Sequence, residues 1–116
     1  KLLSQDKIFL FPKVNQEDLD FYVFDEQIEF EKSNFGVLEP IGDHIYKDNI
    51  DLMIVPALAI SKALDRVGYG KGFYDRYIQN HDIQFTLGVI YDFQELYHID
   101  ASPLDRKLDQ YIKGSL

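Results

Sequence analysis

Residues 66–77, Arg66-Val67-Gly68-Tyr69-Gly70-Lys71-Gly72-Phe73-Tyr74-Asp75-Arg76-Tyr77, bring together the residue types that could hold a phosphate group. Three glycines alternate with larger residues. Without a Cβ, nothing blocks close approach or forbids positive φ, so backbone N–H groups can converge on one point. A helix opening directly after them would add unpaired N–H donors and a partial positive charge. Arg66 and Lys71 supply full positive charges. The physical reading is a phosphate cradle, with Asp75 in the first helical turn where it could face a metal. Read as backbone alone, the same stretch is a tight connection between a strand and a helix. The spacing meets neither G-x-x-x-x-G-K-[ST] nor G-x-G-x-x-G. The arginine, the lysine and the aromatic pair ahead of Asp75 are nevertheless more chemistry than a turn requires.

Such a cradle needs a strand before it and a helix after it. Residues 50–56, Ile-Asp-Leu-Met-Ile-Val-Pro, read as a strand covered on both faces and ended by Pro56. Residues 57–65 read as a connection with a short extended piece at Ala59-Ile60. A helix is expected from about Phe73 to Asn80, where Phe73 and Tyr77, and Tyr74 and Ile78, are i, i+4 neighbours. Asn80-His81-Asp82 stops it. Residues 85–91 read as the next strand and Tyr111-Ile112 as a short last one. Strand, loop, helix and strand in that order form a βαβ unit with a parallel pair. Ligands in such sheets bind beyond the carboxyl ends of the strands, which is where Pro56 and the loop after it are expected.

Ahead of this unit, residues 7–14 read as a strand interrupted or ended by Pro12, and residues 20–24 as a second strand. Residues 25–31, holding Asp25, Glu26, Glu29 and Glu31, read as a solvated face. Turns are expected at Ser33-Asn34-Phe35-Gly36 and at Glu39-Pro40-Ile41-Gly42.

At 116 residues the chain is long enough for one small domain. A net charge of −8 argues against an extended nucleic-acid surface but leaves room for a local basic pocket. The longest nearly apolar run, residues 52–60, is too short to span a bilayer, so no membrane partner is expected. The opening residues show no secretory signal pattern. With no cysteine there is no disulfide framework and no thiolate chemistry, and a cytoplasmic protein is the simplest fit. His44, His81 and His98 match no metal-ligand spacing and read as independent. No serine sits in a G-x-S-x-G context. Asp65 beside Arg66 reads as an ion pair that could hold the arginine in place.

With these elements in order, the sequence resembles the 5-formyltetrahydrofolate cyclo-ligase family, also called 5,10-methenyltetrahydrofolate synthetases. Residues 51–56 followed by 66–77 resemble its D-L-hydrophobic-hydrophobic-V-P-G and R-L-G-x-G-x-G-Y-Y-D-R segments. Phe35-Gly36-Val37-Leu38-Glu39-Pro40 resembles an upstream F-G-I-x-E-P segment, and Leu104-Asp105-Arg106-Lys107-Leu108-Asp109 a downstream H-D-x-x-V-D segment. The resemblance implies a ligase of folate and one-carbon metabolism that converts 5-formyltetrahydrofolate to 5,10-methenyltetrahydrofolate, with ADP and phosphate as products. It implies that the formyl oxygen takes the γ-phosphoryl group of MgATP, and that N10 then attacks while phosphate leaves.

The resemblance also implies roles. Arg66, Val67, Gly68, Tyr69, Gly70, Lys71, Gly72, Phe73 and Tyr74 match the ATP-binding loop, with Arg66 and Lys71 as the catalytic cations opposite phosphates. Phe73 and Tyr74 match an aromatic pair beside the folate, and helix packing is the competing reading for both. Asp75 and Asp105 match Mg²⁺-binding aspartates. The implied fold is α/β, a mixed or mostly parallel sheet flanked by helices, resembling sugar-phosphate isomerase and CoA-transferase-like domains. Residues 1–116 are expected to form a single cyclo-ligase-like domain, monomeric, with ATP and 5-formyltetrahydrofolate as its partners.

The chain departs from the family pattern at Ala57 and Leu64, where glycines are usual, at Phe73, where the first Tyr stands, and at Leu104, where His often precedes the aspartate. Family members also usually carry an N-terminal segment of several dozen residues ahead of the first strand read here. The expectation is therefore weak or absent turnover from the 116 residues alone. Two alternatives stand beside the enzyme: a noncatalytic folate- or nucleotide-binding homologue, and an inactive fragment.

Overall fold

The computed structural model describes residues 7–24, 29–32, 36, 38–41, 44–68, 71–100 and 106–115. The chain divides into two compact units, Lys1–Asp48 and Asn49–Leu116.

In the first unit, β1 (Leu10–Asn15) and β2 (Asp18–Val23) form an antiparallel hairpin, with Leu10 opposite Val23 and Asn15 opposite Asp18. Gln16 and Glu17 make the turn, Gln16 at φ 59. That left-handed conformation is one that Asn or Gly usually supplies in a two-residue hairpin loop. β3 (Glu29–Lys32) and β4 (Leu38–Ile41) make a second antiparallel pair, and β5 (Ile45–Tyr46) adds to the other side of β2. As the middle strand, β2 is covered on both faces, and Leu19, Phe21 and Tyr22 are buried. Phe11 meets Phe24 and Phe30 edge-on, with ring centroids 5.4 and 5.2 Å apart.

Two prolines behave differently from the expectation. β1 runs through Pro12 instead of stopping there. The Phe24 N–H donates to Phe9 O, so by alternation Pro12, opposite Phe21, falls at a non-hydrogen-bonded position on an edge strand. No ladder bond is lost there. Pro40 lies buried within β4, opposite Phe30, so Glu39, Pro40 and Ile41 extend a strand rather than form the expected turn. Glu29 and Glu31 are exposed along β3, as a solvated face should be. Asp25, Glu26, Ser33, Asn34, Phe35, Val37 and Gly42 lie outside the described residues.

The second unit holds β6 (Met53–Val55), β7 (Ala59–Ser61), β8 (Arg66–Val67), α1 (Phe73–Asn80), β9 (Thr86–Tyr91), β10 (Glu95–Leu96) and β11 (Gln110–Gly114). β6, β9 and β11 form a parallel sheet in the order β11-β9-β6. In a second sheet β7 is flanked by parallel β10 and antiparallel β8. The expected βαβ unit is therefore present as β6, α1 and β9. The fold is mixed α/β and mostly sheet. Among the described residues it has a single α-helix where flanking helices were expected.

The run Ile50–Pro56 is a regular strand only at Met53–Val55. Met53 and Val55 are buried while Ile54 is 60% exposed, so one face is covered rather than two. Ile50 makes a lone parallel bridge to Ile83. The expected connection at 57–65 contains all of β7 and its turn into β8. In that turn Leu64, standing near a usual glycine of the family pattern, takes φ 72.

The two sheets meet closely at Gly88 in the middle of β9. A Cβ there would overlap the Ile60 side chain and come within 2.8 Å of Leu108 Cδ1. Ile60 and Leu108 are both buried, so this glycine lets the β7 sheet press against the parallel one.

Candidate phosphate-binding site

The helix bounds Phe73–Asn80 follow from local chemistry. Gly72 is the N-cap at φ 69, a left-handed conformation that suits glycine. The Gly72 carbonyl accepts the first helical bond from Arg76 N–H at 3.0 Å. Gly72 has no side chain to cap the helix, and no side-chain cap bond is made there. Asp75 in that turn sits at the favourable end of the helix dipole. At the other end, Ile50 N–H donates to Asp82 O and Gln84 N–H to Ile50 O. The segment after the helix thus lies beside Ile50, just ahead of β6.

Arg66 and Asp75 are brought together. Arg66 Nη2 lies 3.8 Å from Asp75 Oδ2, with the arginine side chain 6% exposed and the aspartate 21%. Arg66 Nε is buried and has no hydrogen-bond partner. The guanidinium lies over Gly68, where a Cβ would overlap it. A nearly buried arginine with an unused donor is costly, and its planar fork suits an oxyanion. The expected Asp65–Arg66 ion pair does not form. Neighbouring strand residues point to opposite faces, and Asp65 instead pairs with Lys107 Nζ at 2.9 Å.

Val67 is part of β8, and its carbonyl accepts from Leu58 N–H at 2.8 Å. Lys71 is exposed, with its backbone carbonyl held by Arg76 Nη1 at 2.7 Å. The same Arg76 guanidinium sits 5.3 Å from the centroid of the Phe73 ring. Burial pushes the Tyr74 phenol up to about 12, with the Arg66 charge working the other way. Tyr74 therefore stays protonated and remains a donor. Tyr69, Gly70 and Asp105 lie outside the described residues.

Two contributions had no signal in the sequence. The Arg106 N–H makes a long 3.5 Å contact to Asp75 Oδ1, and Lys107 also donates to Ala63 O at 3.0 Å. Both residues lie inside the landmark segment at 104–109, but no spacing links them to residues 63–75. The histidines are independent, as expected: His44 is exposed, His81 stacks on Tyr77, and His98 pairs with Asp100. Among the described residues no group of three His, Cys, Asp or Glu side chains could hold a metal unaided. No helix among them is long and apolar enough to cross a membrane.

The chain is 36% identical over 80 residues to the 5-formyltetrahydrofolate cyclo-ligase of Mycoplasma genitalium, covering 68% of this chain and 48% of that protein. It is 33% identical over 110 residues to that of Mycoplasma pneumoniae, covering 92% and 62%. It superposes on 5,10-methenyltetrahydrofolate synthetase from Aquifex aeolicus with a TM-score of 0.77 at 26% identity, covering 93% of this chain and 56% of that one. The chain thus spans about half to three-fifths of the length of these relatives. The glycine turn, the buried arginine and the βαβ unit all fall inside a match to the 5-formyltetrahydrofolate cyclo-ligase family that runs over residues 1–114, and the chain belongs to that family.

Proposed function

We propose that these residues carry the ATP-binding part of an enzyme that converts 5-formyltetrahydrofolate to 5,10-methenyltetrahydrofolate, releasing ADP and phosphate. The observation that carries this reading is Arg66. Its guanidinium is almost fully buried, holds an unused donor, and lies over Gly68 and beside Asp75 in a chain of this family.

In this reading the backbone of Arg66 to Tyr74 cradles the triphosphate. Arg66 and Lys71 offset the charge that builds on the transferred group. The formyl oxygen bonds to the γ-phosphorus as the bond to ADP breaks. N10 then bonds to the formyl carbon, loses its proton, and phosphate departs with the former formyl oxygen. The amide-like oxygen leaves only because it has become a phosphate ester. Phe73 and Tyr74 line the folate side, and the Tyr74 phenol stays protonated there.

Mg²⁺ suits the aspartates. Among the described residues both Asp75 oxygens make only long contacts, and these hard oxygens match an ion that takes one or two carboxylates plus phosphate oxygens. Asp75 and Asp105 would hold it. When bound it would supply charge neutralisation on the β- and γ-phosphates. The same reading includes one cyclo-ligase-like domain over residues 1–116, related in fold to sugar-phosphate isomerase and CoA-transferase-like domains, and a cytoplasmic, monomeric enzyme.

The test is growth of methenyltetrahydrofolate absorbance from MgATP and 5-formyltetrahydrofolate, using the complete gene product that contains these residues. Product formation that requires ATP is expected. Tight binding of both substrates without product would replace the enzyme with a noncatalytic binder.

A further inference from the structure

We propose that Lys107 and Asp65 are a positioning pair for the Arg66–Asp75 site, an inference that rests on the function proposed above. The two ends of the Lys107–Asp65 bridge each lie one residue from the site. Asp65 immediately precedes Arg66. Lys107 immediately follows Arg106, whose N–H contacts Asp75 Oδ1 at 3.5 Å. The bridge spans 42 residues of sequence and closes at 2.9 Å, with a second bond from Lys107 Nζ to Ala63 O at 3.0 Å. A backbone bond from Leu108 N–H to Leu64 O at 3.0 Å runs alongside it.

The Asp65 end is held firmly. Ser61 N–H donates to Asp65 O at 2.8 Å, and Asp65 N–H donates to Ser61 Oγ at 3.2 Å. Ser61 itself is fully buried. The Asp65 side chain is 14% exposed and that of Lys107 59%. This clamp joins the strand that presents Arg66 to the segment that meets Asp75. The arginine and the aspartate are otherwise only loosely paired, at 3.8 Å.

Magnitudes separate positioning from plain stability. An ion pair with one end this exposed adds little to folding. A displacement of a catalytic constellation by about 1 Å can nonetheless cost about 100-fold in rate. Loss of the clamp should therefore be read in the kinetics and hardly at all in the melting point. Leu64 holds left-handed backbone at φ 72 within the same turn, strain that the surrounding bonds sustain.

The experiment compares Lys107→Met, Lys107→Arg, Asp65→Asn and the double variant D65N/K107M in the complete gene product. Lys107→Met and Asp65→Asn should each lower kcat/KM for MgATP by about 10- to 100-fold, with Tm within about 4 °C of the wild type. Lys107→Arg, which keeps charge and donors, should restore most of the loss. The double variant should be no worse than either single one, because both remove the same interaction. A readout free of any substrate is amide hydrogen exchange at Arg106, which should quicken in Lys107→Met. Unchanged kinetics and unchanged Arg106 exchange would overturn the proposal. So would a fall in Tm that tracks the loss of activity and that arginine does not rescue. If the wild type forms no methenyltetrahydrofolate, the proposed function fails, and Arg106 exchange alone then decides the clamp: quicker exchange upholds it and unchanged exchange overturns it.

Discussion

Asp75 and Glu95 are both carboxylates of the second unit with a cation beside them, and their surroundings differ in every contact. Glu95 is saturated. Its Oε1 takes Lys113 Nζ at 2.8 Å and its Oε2 takes a short bond from the Tyr111 hydroxyl. The Lys113 bond first, and the Tyr111 bond second, hold its carboxyl below the usual carboxylate range. Asp75 has a 3.8 Å ion pair and a 3.5 Å backbone contact, and its partner Arg66 keeps a buried donor unused. Glu95 ties β10 to β11. Arg66 and Asp75 hold charge near a glycine turn without satisfying it. An unsatisfied buried donor is expensive and needs a reason, and oxygens of a bound phosphate would supply the missing partner. The contrast separates a structural tie from the proposed binding site without reference to any relative.

The sharpest way to break the contrast is to remove one cation from each cluster. Arg66→Met should lower kcat/KM for MgATP by about 10²–10³-fold, measured by methenyltetrahydrofolate formation. Lys113→Met should leave it unchanged. Equal losses would mean that saturation does not distinguish the two sites.

Next in size is a pair of glycines. Gly88→Ala should lower stability in a denaturant titration by roughly 1–3 kcal/mol, because both Ile60 and Leu108 are buried and have nowhere to move. The activity of the folded fraction should be unchanged. Gly68→Ala should act first on activity. Its new methyl meets the end of the long Arg66 side chain, so the guanidinium must shift beside Asp75 and activity falls, with a smaller stability loss than Gly88→Ala because the far end of a flexible side chain yields more easily than two packed ones.

Smaller again is the pH response of the Glu95 cluster. Its carboxyl is lowered from an ordinary value of 4.5, so its stabilisation is present above that value and is lost as pH falls through the lower folded one. Hydrogen bonding to Glu95 raises Tyr111 and Lys113 above 10.0 and 10.5, so their share is present below those values and is lost as pH rises through the higher folded ones. The Tm difference between wild type and Glu95→Gln should therefore form a plateau across neutral pH and shrink at both ends. The smallest effect lies outside both clusters. Replacing Gln16 by Gly, which suits the left-handed φ at the first turn position, should stabilise the hairpin by up to about 0.5 kcal/mol in the same denaturant titration.

These features were unequally legible. Helix α1 was readable to the residue because its signals are local: the glycine before Phe73, the i, i+4 pairs Phe73–Tyr77 and Tyr74–Ile78, and the Asn80-His81-Asp82 stop. The parallel pairing of β6 with β9 followed from element order. The hairpin at Gln16-Glu17 was not readable, since neither residue advertises positive φ. Strands through Pro12 and Pro40 were not readable either, because a proline is tolerated only where its nitrogen faces no partner, and that depends on the register. At the site, residue types point to Arg66 and Asp75, but adjacency in sequence misleads about the ion pairing. Asp65 is adjacent in sequence yet reaches Lys107, while Arg66 turns to the other side and reaches Asp75. Sequence spacing carries no record of that choice.

The most direct test is calorimetric titration of MgATP into the complete gene product, comparing wild type, Arg66→Met and Glu95→Gln. Arg66→Met should lose at least about tenfold in affinity while Glu95→Gln binds as the wild type does. Wild-type affinity in Arg66→Met would contradict the proposed site, because the buried, unsatisfied guanidinium would then have no phosphate to serve.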